Sequence, residues 1–404
     1  MRILIRNGTV IDTHPAVAVL GELDVLVDGE RIVAVGKDLN AGGDWEAGGD
    51  VEVIDATGRL VLPGFVDSHR HTWQAAYRAI VADGDIQDYF RTVLGELAPS
   101  VTPDDVYAGN LAGARECLDA GITTLLDWTQ VAHTPDHADA LVAGLRESGI
   151  RAVLGYNPQD PGEEVRRVRD THFRTPGRLS MAIAALGPEI AGEERALWEW
   201  RLARDLDLRV TVHAGSQGAE GARRALEFLQ GNGLLERPTT YIHGVDYTGD
   251  DLKLIADTGG SVSVSPVDEP ALGIGYPITG RAAASGAPVS LSADTVTCGP
   301  GDMFSLMRAA FAMERGLGNL AFTTRDVLRM ATLGGAQTVG LGDSVGSLTP
   351  GKQADLVLLR TGTPGMAGTR DPIGAIVLNA DTSAVETVLV AGRVVKRAGA
   401  LVAV

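Results

Sequence analysis

The sequence predicts an α/β fold, a TIM-like (β/α)8 barrel with a small composite β-sandwich built from the two ends of the chain. Three observations lead there. Short β-runs alternate with helix-like segments through the middle of the chain, strand-only stretches flank that region on both sides, and one apolar run ends in two histidines a single residue apart. A repeated strand-then-helix order favours a parallel barrel over an open doubly wound sheet. No Gly-x-Gly-x-x-Gly follows an early strand, so a dinucleotide fold has no local support. At 404 residues, 45% of them hydrophobic, the chain can bury one long barrel and a smaller unit.

Residues 1–62 and 344–404 are expected to make the sandwich, and 63–343 the barrel. The chain opens on a short β-run, Met1 to Gly8, read as a strand turning at Asn7-Gly8 and too short for a signal peptide. Further β-runs cover 24–36 and 51–56; Asp28-Gly29 is a hairpin cue, while Gly42-Gly43 and Gly48-Gly49 punctuate a loop. The first barrel strand leads into the two histidines. Seven more follow at 123–127, 151–155, 180–185, 209–213, 239–243, 261–265 and 288–294, with helical segments at 103–120, 138–147, 193–203 and 218–229 between them. Strands return at 354–359 and 385–396, where Ala391-Gly392 suits another turn.

Charge and cysteine usage narrow the function. A net charge of −17 argues against nucleic acid or an anionic membrane as partner. Two cysteines, Cys117 and Cys298, give no disulfide framework and fit a reducing compartment. No stretch approaches the roughly 18 apolar residues of a membrane helix, so a soluble cytoplasmic protein is expected.

The histidine pair carries the chemistry. Side chains at i and i+2 of a strand leave the same face, so His69 and His71 project together. Barrel strands alternate inward and outward residues, with catalytic groups at their C-terminal ends. In the fifth strand Thr211 and His213 face the axis. In the sixth Tyr241 and His243 share a face, and in the eighth Ser290, Ser292 and Asp294 alternate with Val289, Leu291 and Ala293. Five polar groups in phase on four strand ends point to a divalent metal site rather than to isolated structural residues.

The string Pro63-Gly64-Phe65-Val66-Asp67 before His69-x-His71, the later order His, His, Asp, and the tail segments 331–336 and 346–357 resemble the amidohydrolase superfamily. The likeness is to its branch of cytosine deaminase, guanine deaminase and the triazine hydrolases. It implies that His69, His71, His213 and Asp294 bind the metal, with His243 beside it. It also implies hydrolysis of a non-peptide C–N bond, with deamination of an N-heterocycle as the leading case. Binuclear relatives bridge two ions with a carboxylated lysine on the fourth strand. The four lysines here, Lys37, Lys253, Lys352 and Lys396, all fall outside the expected barrel strands. One ion is therefore expected, Zn²⁺ first, with Fe²⁺ or Mn²⁺ as alternatives. Such an ion lowers the pKa of a bound water from 15.7 to about 7. Asp294 is then the general base, and His243 stabilises the oxyanion or orients the nucleophile.

One position departs from that pattern. The deaminase branch usually carries a glutamate three residues after the fifth-strand histidine, where it protonates a ring nitrogen; here the run is His213-Ala214-Gly215-Ser216. Serine cannot shuttle protons as a carboxylate does. Either another acid substitutes, with Asp127, Asp268 and Glu269 following strands, or the reaction needs no ring protonation. The second case covers a cyclic amide or another C–N or C–Cl hydrolase, and a lyase or isomerase on the same scaffold. Trp73, Gln74, Trp128 and Ser216 are the expected substrate contacts, suited to a flat polar heterocycle, with Tyr156 and Asn157 as further loop candidates. His133, His137 and His172 are expected in solvent. A homodimer or larger homo-oligomer is expected.

Overall fold

Among the described residues, eight parallel strands follow one another around a barrel, and nine more, drawn from both ends of the chain, make a second sheet. The computed structural model describes residues 2–39, 51–158 and 162–402; the glycine pairs at 42–43 and 48–49 lie outside them. The second sheet begins with β1 (Arg2–Asp12), β2 (Ala18–Asp28), β3 (Arg31–Gly36), β4 (Val51–Asp55) and β5 (Arg59–Pro63). The barrel is β6 (Phe65–Arg70), β7 (Ile122–Trp128), β8 (Arg151–Tyr156), β9 (Leu179–Ala185), β10 (Arg209–Ala214), β11 (Thr239–His243), β12 (Ser261–Val264) and β13 (Val289–Leu291). The strands β14 (Leu356–Arg360), β15 (Val385–Val390), β16 (Arg393–Arg397) and β17 (Ala400–Leu401) then return to the first group, β14 pairing antiparallel with β5.

The sandwich depends on a bend in its longest strand. One edge of β1 follows β2, while the other meets β4 over Arg2–Arg6 and β5 over Thr9–Val10. The change of partner falls at Asn7-Gly8, where Asn7 has φ 59° and the register with β2 slips. Asn7-Gly8 is thus a bulge within one strand, not the turn that its residue types suggest. Gly8 lies against Val61 with no room for a Cβ. Bent this way, the sheet closes over a core of Ile3, Ile5, Val10, Val27, Leu356 and Leu389. The Asp28-Gly29 turn joins β2 to β3. Ala391 and Gly392, at φ 48° and 69°, join β15 to β16 as a two-residue hairpin requires.

In the barrel, Val210, Val212, Tyr241, Val262, Val264 and Leu291 face outward into the helix layer. Inward, Val66, Leu126, Val153, Ala182, Ala184 and Ile242 pack on a plug of Ala336, Val339 and Val345. The remaining interior is a ladder of hydroxyls: Ser68 Oγ lies 2.7 Å from Ser263 Oγ and 2.6 Å from Ser290 Oγ, and Ser263 Oγ lies 2.9 Å from Ser292 Oγ. Each of these four buried serine hydroxyls thereby has a partner, as burial demands. The helix Pro103–Asp119 starts at a Thr102/Asp105 capping box, and Gly249–Asp257 at the equivalent Thr248/Asp251 pair. The barrel closes between its last and first strands. The Asp294 N–H donates to the His69 carbonyl at 3.0 Å and the His71 N–H to the Asp294 carbonyl at 2.9 Å. No helix among the described residues is long and apolar enough to cross a membrane.

Candidate metal centre

Simple alternation along the strands does not assemble this centre; two local departures from it do. In β6, Asp67 pairs with Leu125 but Arg70 pairs with Asp127, three steps against two. A bulge of this kind re-aims side chains, and consecutive residues both turn inward here. Ser68 reaches Ser263 and Ser290, while His69 reaches Asp294. Behind the bulge, Asp67 accepts from the Ala293 N–H at 3.1 Å and from the Arg70 guanidinium at 3.2 Å. Arg70 goes on to the Gly301 carbonyl and Glu116. Removing one partner of a buried pair of this kind costs roughly 3–5 kcal/mol, so the bulge is firmly held.

The second departure corrects the expectation for the sixth strand. Tyr241 packs outward and Ile242 inward, so His243 is out of phase with the axis. Its left-handed backbone, φ 72°, returns the ring to the site, 3.9 Å from Asp294 Oδ2. Asp294, at φ 54°, lies three residues beyond the end of β13, which is shorter than 288–294. Left-handed backbone at a non-glycine residue costs about 1–3 kcal/mol, and such strain collects at functional sites.

His69 Nε2 lies 3.0 Å and His71 Nε2 3.3 Å from Asp294 Oδ1, and His213 Nε2 lies 3.2 Å from His69 Nε2. One ligand atom from each of His69, His71, His213 and Asp294 falls within 4.8 Å of the others. Four ligands held tetrahedrally about 2.0–2.1 Å from an ion are separated by edges of about 3.3 Å, which these spacings approach. His71 Nδ1 faces the Trp128 carbonyl at 2.9 Å, so that nitrogen carries the proton and Nε2 offers its lone pair to the centre. Burial pushes the His69 pKa down to about 4, against the opposing pull of Asp294, and holds His213 well below the ordinary histidine value. Both rings are neutral at physiological pH, the form that binds a cation. Burial also opposes ionisation of Asp294, but the surrounding imidazoles of His69, His71 and His243 outweigh it and hold the carboxyl well below its usual range. His243 differs. Burial disfavours its cation, yet Glu269 Oε1, 3.3 Å from Nδ1, together with Asp294 raises its pKa above the ordinary value. The donor set fits a divalent ion, and none of the four lysines lies in β6–β13.

A cavity of about 670 Å³ opens over this centre, lined among others by His71, His213, His243 and Asp294. Trp128 and Ser216 line it, with the Trp128 ring 4.7 Å from that of His213. Trp73 and Gln74 do not reach it. The chain coils into a 3-10 turn over Thr72–Tyr77 immediately after His71, which buries Trp73 against Tyr77. Gly109 and Gly113 let the helix Pro103–Asp119 lie directly against that turn. Gln74 sits one layer back, donating to Tyr89 and Gln130, which do line the cavity. Asn157 is in the lining and Tyr156 is not.

None of the three proposed substitute acids borders the cavity. Asp127 accepts from the Thr72 N–H and Asn110, Asp268 accepts from the Thr295 N–H, and Glu269 lies behind His243. The carboxylate found there besides Asp294 is Glu189, from the helix Gly187–Ala191 after β9. It accepts from the Gly215 N–H at 2.7 Å and the Ser216 N–H at 3.4 Å, on the loop where the usual glutamate would stand. Burial raises its pKa against those hydrogen bonds. Glu189 lies four residues beyond the end of β9, within that short helix, where strand position does not single it out. The histidines expected in solvent are engaged. His133 lines the cavity and donates to the Ala98 carbonyl at 2.8 Å, His137 is buried between Thr134 and the Val101 carbonyl, and His172 pairs with Asp139 at 2.7 Å.

Among curated relatives, the chain is 29% identical to a 5-methylthioadenosine/S-adenosylhomocysteine deaminase of Desulforudis audaxviator, covering 98% of this chain and 94% of the relative. It is 28% identical to a 5'-deoxyadenosine deaminase of Methanothermobacter thermautotrophicus, covering 98% and 95%. Among solved structures, a zinc-bound adenosine deaminase from Xanthomonas campestris superimposes with a TM-score of 0.88 at 24% identity, covering 99% of this chain and 94% of that one. A zinc-bound variant of an atrazine chlorohydrolase from Arthrobacter aurescens gives 0.89 at 24% identity, covering 99% and 96%. These two likenesses bear on the fold. The model of the amidohydrolase family matches residues 60–395, from the strand before the histidine pair to the closing strands of the sandwich, and the chain belongs to that family.

Proposed function

We propose that this protein is a mononuclear aminohydrolase that deaminates a flat N-heterocycle, with His69, His71, His213 and Asp294 holding one divalent ion, Zn²⁺ by first choice. The observation that carries this reading is the convergence of three imidazole nitrogens and one carboxylate oxygen within 4.8 Å at the mouth of the barrel. The deaminase relatives favour C–N hydrolysis over the lyase and isomerase alternatives. When bound, the ion supplies Lewis-acid activation of water.

The remaining steps belong to this chain's own residues. Asp294 Oδ1 faces the histidines, which leaves Oδ2 to take a proton from the attacking water. His243, kept basic by Glu269, presents Nε2 beside Oδ2 and stabilises the oxygen as it gains charge. Glu189 replaces the missing glutamate and gives a proton to the ring nitrogen. Of the two protons the water brings, Asp294 hands one to the departing nitrogen, which leaves as ammonia, and the other restores Glu189. Trp128 and Ser216 border the ring, with Trp128 offering an aromatic edge.

Elemental analysis should find one metal equivalent per chain, with ammonia released from a panel of aminopurines, aminopyrimidines and aminotriazines and heavy oxygen from labelled water in the product. Full metal loading without ammonia from any of them, together with opening of cyclic amides, would transfer the assignment to the cyclic-amidase reading.

A further inference from the structure

We infer that the cavity selects heterocycles carrying an apolar arm and no anionic group; this rests on the aminohydrolase reading and adds the substrate class. The cavity has two unlike parts to its lining. The residues of the metal centre are polar. The rest includes an apolar wall of Ile86, Phe90, Leu94, Ile190, Leu272 and Ile274.

The local sequence builds that wall. Between Ile86 and Ser100 every fourth residue, Ile86, Phe90, Leu94 and Ala98, borders the cavity, whereas Val93 runs into the core. Hydrogen bonds from Gln74 to Tyr89 and from His133 to the Ala98 carbonyl hold the segment down. Phe90 and Ile190 nevertheless remain 44% and 51% exposed at the rim. Large apolar side chains left uncovered at the mouth of a cleft mark a surface that a ligand covers. A volume of about 670 Å³ also exceeds what a bare ring fills.

Charge gives the second half of the argument. No lysine or arginine is among the described lining residues, while two carboxylates, Asp294 and Glu189, are. The ring N–H of His133 is already spent on a carbonyl. A phosphate or carboxylate on the arm would lose its hydration against apolar side chains, with no lysine or arginine in the described lining to replace it, in a chain of net charge −17. A neutral apolar arm loses nothing there and gains the wall.

The experiment uses the metal-loaded full chain and three matched probes: adenine, 9-pentyladenine, and the same ring with a 5-carboxypentyl arm. Each is titrated calorimetrically, and the series is repeated on a triazine ring. The alkyl arm should tighten binding at least tenfold over the bare ring, and the terminal carboxylate should remove that gain. Phe90→Arg should reverse the order, with the carboxylate probe binding better than the alkyl one. A carboxylate arm that binds the unaltered protein as well as the alkyl arm, or an alkyl arm that adds nothing on either ring, would overturn the inference, as would no binding by either series. Preferential alkyl binding without ammonia release would leave the inference standing and sink the deamination reading instead.

Discussion

The floor and the wall of the cavity are held by different kinds of structure. The floor stands on the ends of β6, β10 and β11 and on the residue that closes the barrel. Its side chains are buried or nearly so, and several are fixed from behind, by Trp128 and Glu269 among others. The wall is one face of a helical segment and the tips of later loops, apolar and half open to solvent. Rigid support suits groups that must hold reacting atoms to fractions of an ångström, whereas a wall that only excludes water and covers carbon can vary. The contrast teaches where to look for each property: rate in the floor, selectivity in the wall.

Substitutions can break or sharpen that division. The largest effect belongs to the ligands. His69→Ala and Asp294→Asn should each lower turnover by about 10³-fold or more, and His69→Ala should also lose metal by elemental analysis; unchanged metal and turnover in both would remove the centre. Next comes Glu189→Gln, at about 10²-fold or more in kcat. Because burial raises the Glu189 pKa, its proton is held to higher pH than that of a free carboxylate, and kcat should fall as pH rises and the proton is lost. The variant should lack this limb, and adding Ser216→Glu should restore part of the rate; a variant that loses only thermal stability would make Glu189 a loop anchor.

Glu269→Gln should cost about 10–100-fold. It removes the carboxylate that raises the His243 pKa, so the titration of that ring, followed by NMR in the metal-loaded protein, should move to lower pH. The smallest effect is expected at the wall. Phe90→Ala should raise KM for an alkyl-bearing substrate by about threefold to tenfold with kcat unchanged. A fall in kcat at constant KM would erase the distinction between floor and wall.

The architecture was legible because barrel strands are apolar runs between glycines and helix caps, and because strand-only ends flank them. The four proposed ligands stand out in the sequence by residue type, strand position and the family resemblance. The way they converge does not. The bulge between Asp67 and Arg70 is a slip against a neighbouring strand, and no local residue type announces it. The left-handed backbone at His243 is imposed by its surroundings, so alternation gave a false reason for a ring that does reach the site. Trp73 and Gln74 follow the histidines closely in sequence, but the 3-10 turn directs them into the protein. Glu189, in Gly187-Pro188-Glu189, reads as an ordinary helix start. The wall segment reads as an amphipathic helix whose apolar face belongs in the core, and half of that face does.

The closure of the barrel through Asp294 has a consequence for how the molecule is finished. The two peptide hydrogen bonds that fasten the last stave to the first flank the same residue whose carboxylate gathers the imidazoles. Completing the hoop and completing the cation's seat are one event, so a chain with an unlatched seam has no seat to offer. A cation that recognises only the latched form draws the population towards it, by about 2.7 kcal/mol at a hundredfold excess over its dissociation constant. Chelation should therefore loosen the clasp first, seen as faster amide exchange at His71 and Asp294 before the rest of the ring gives way.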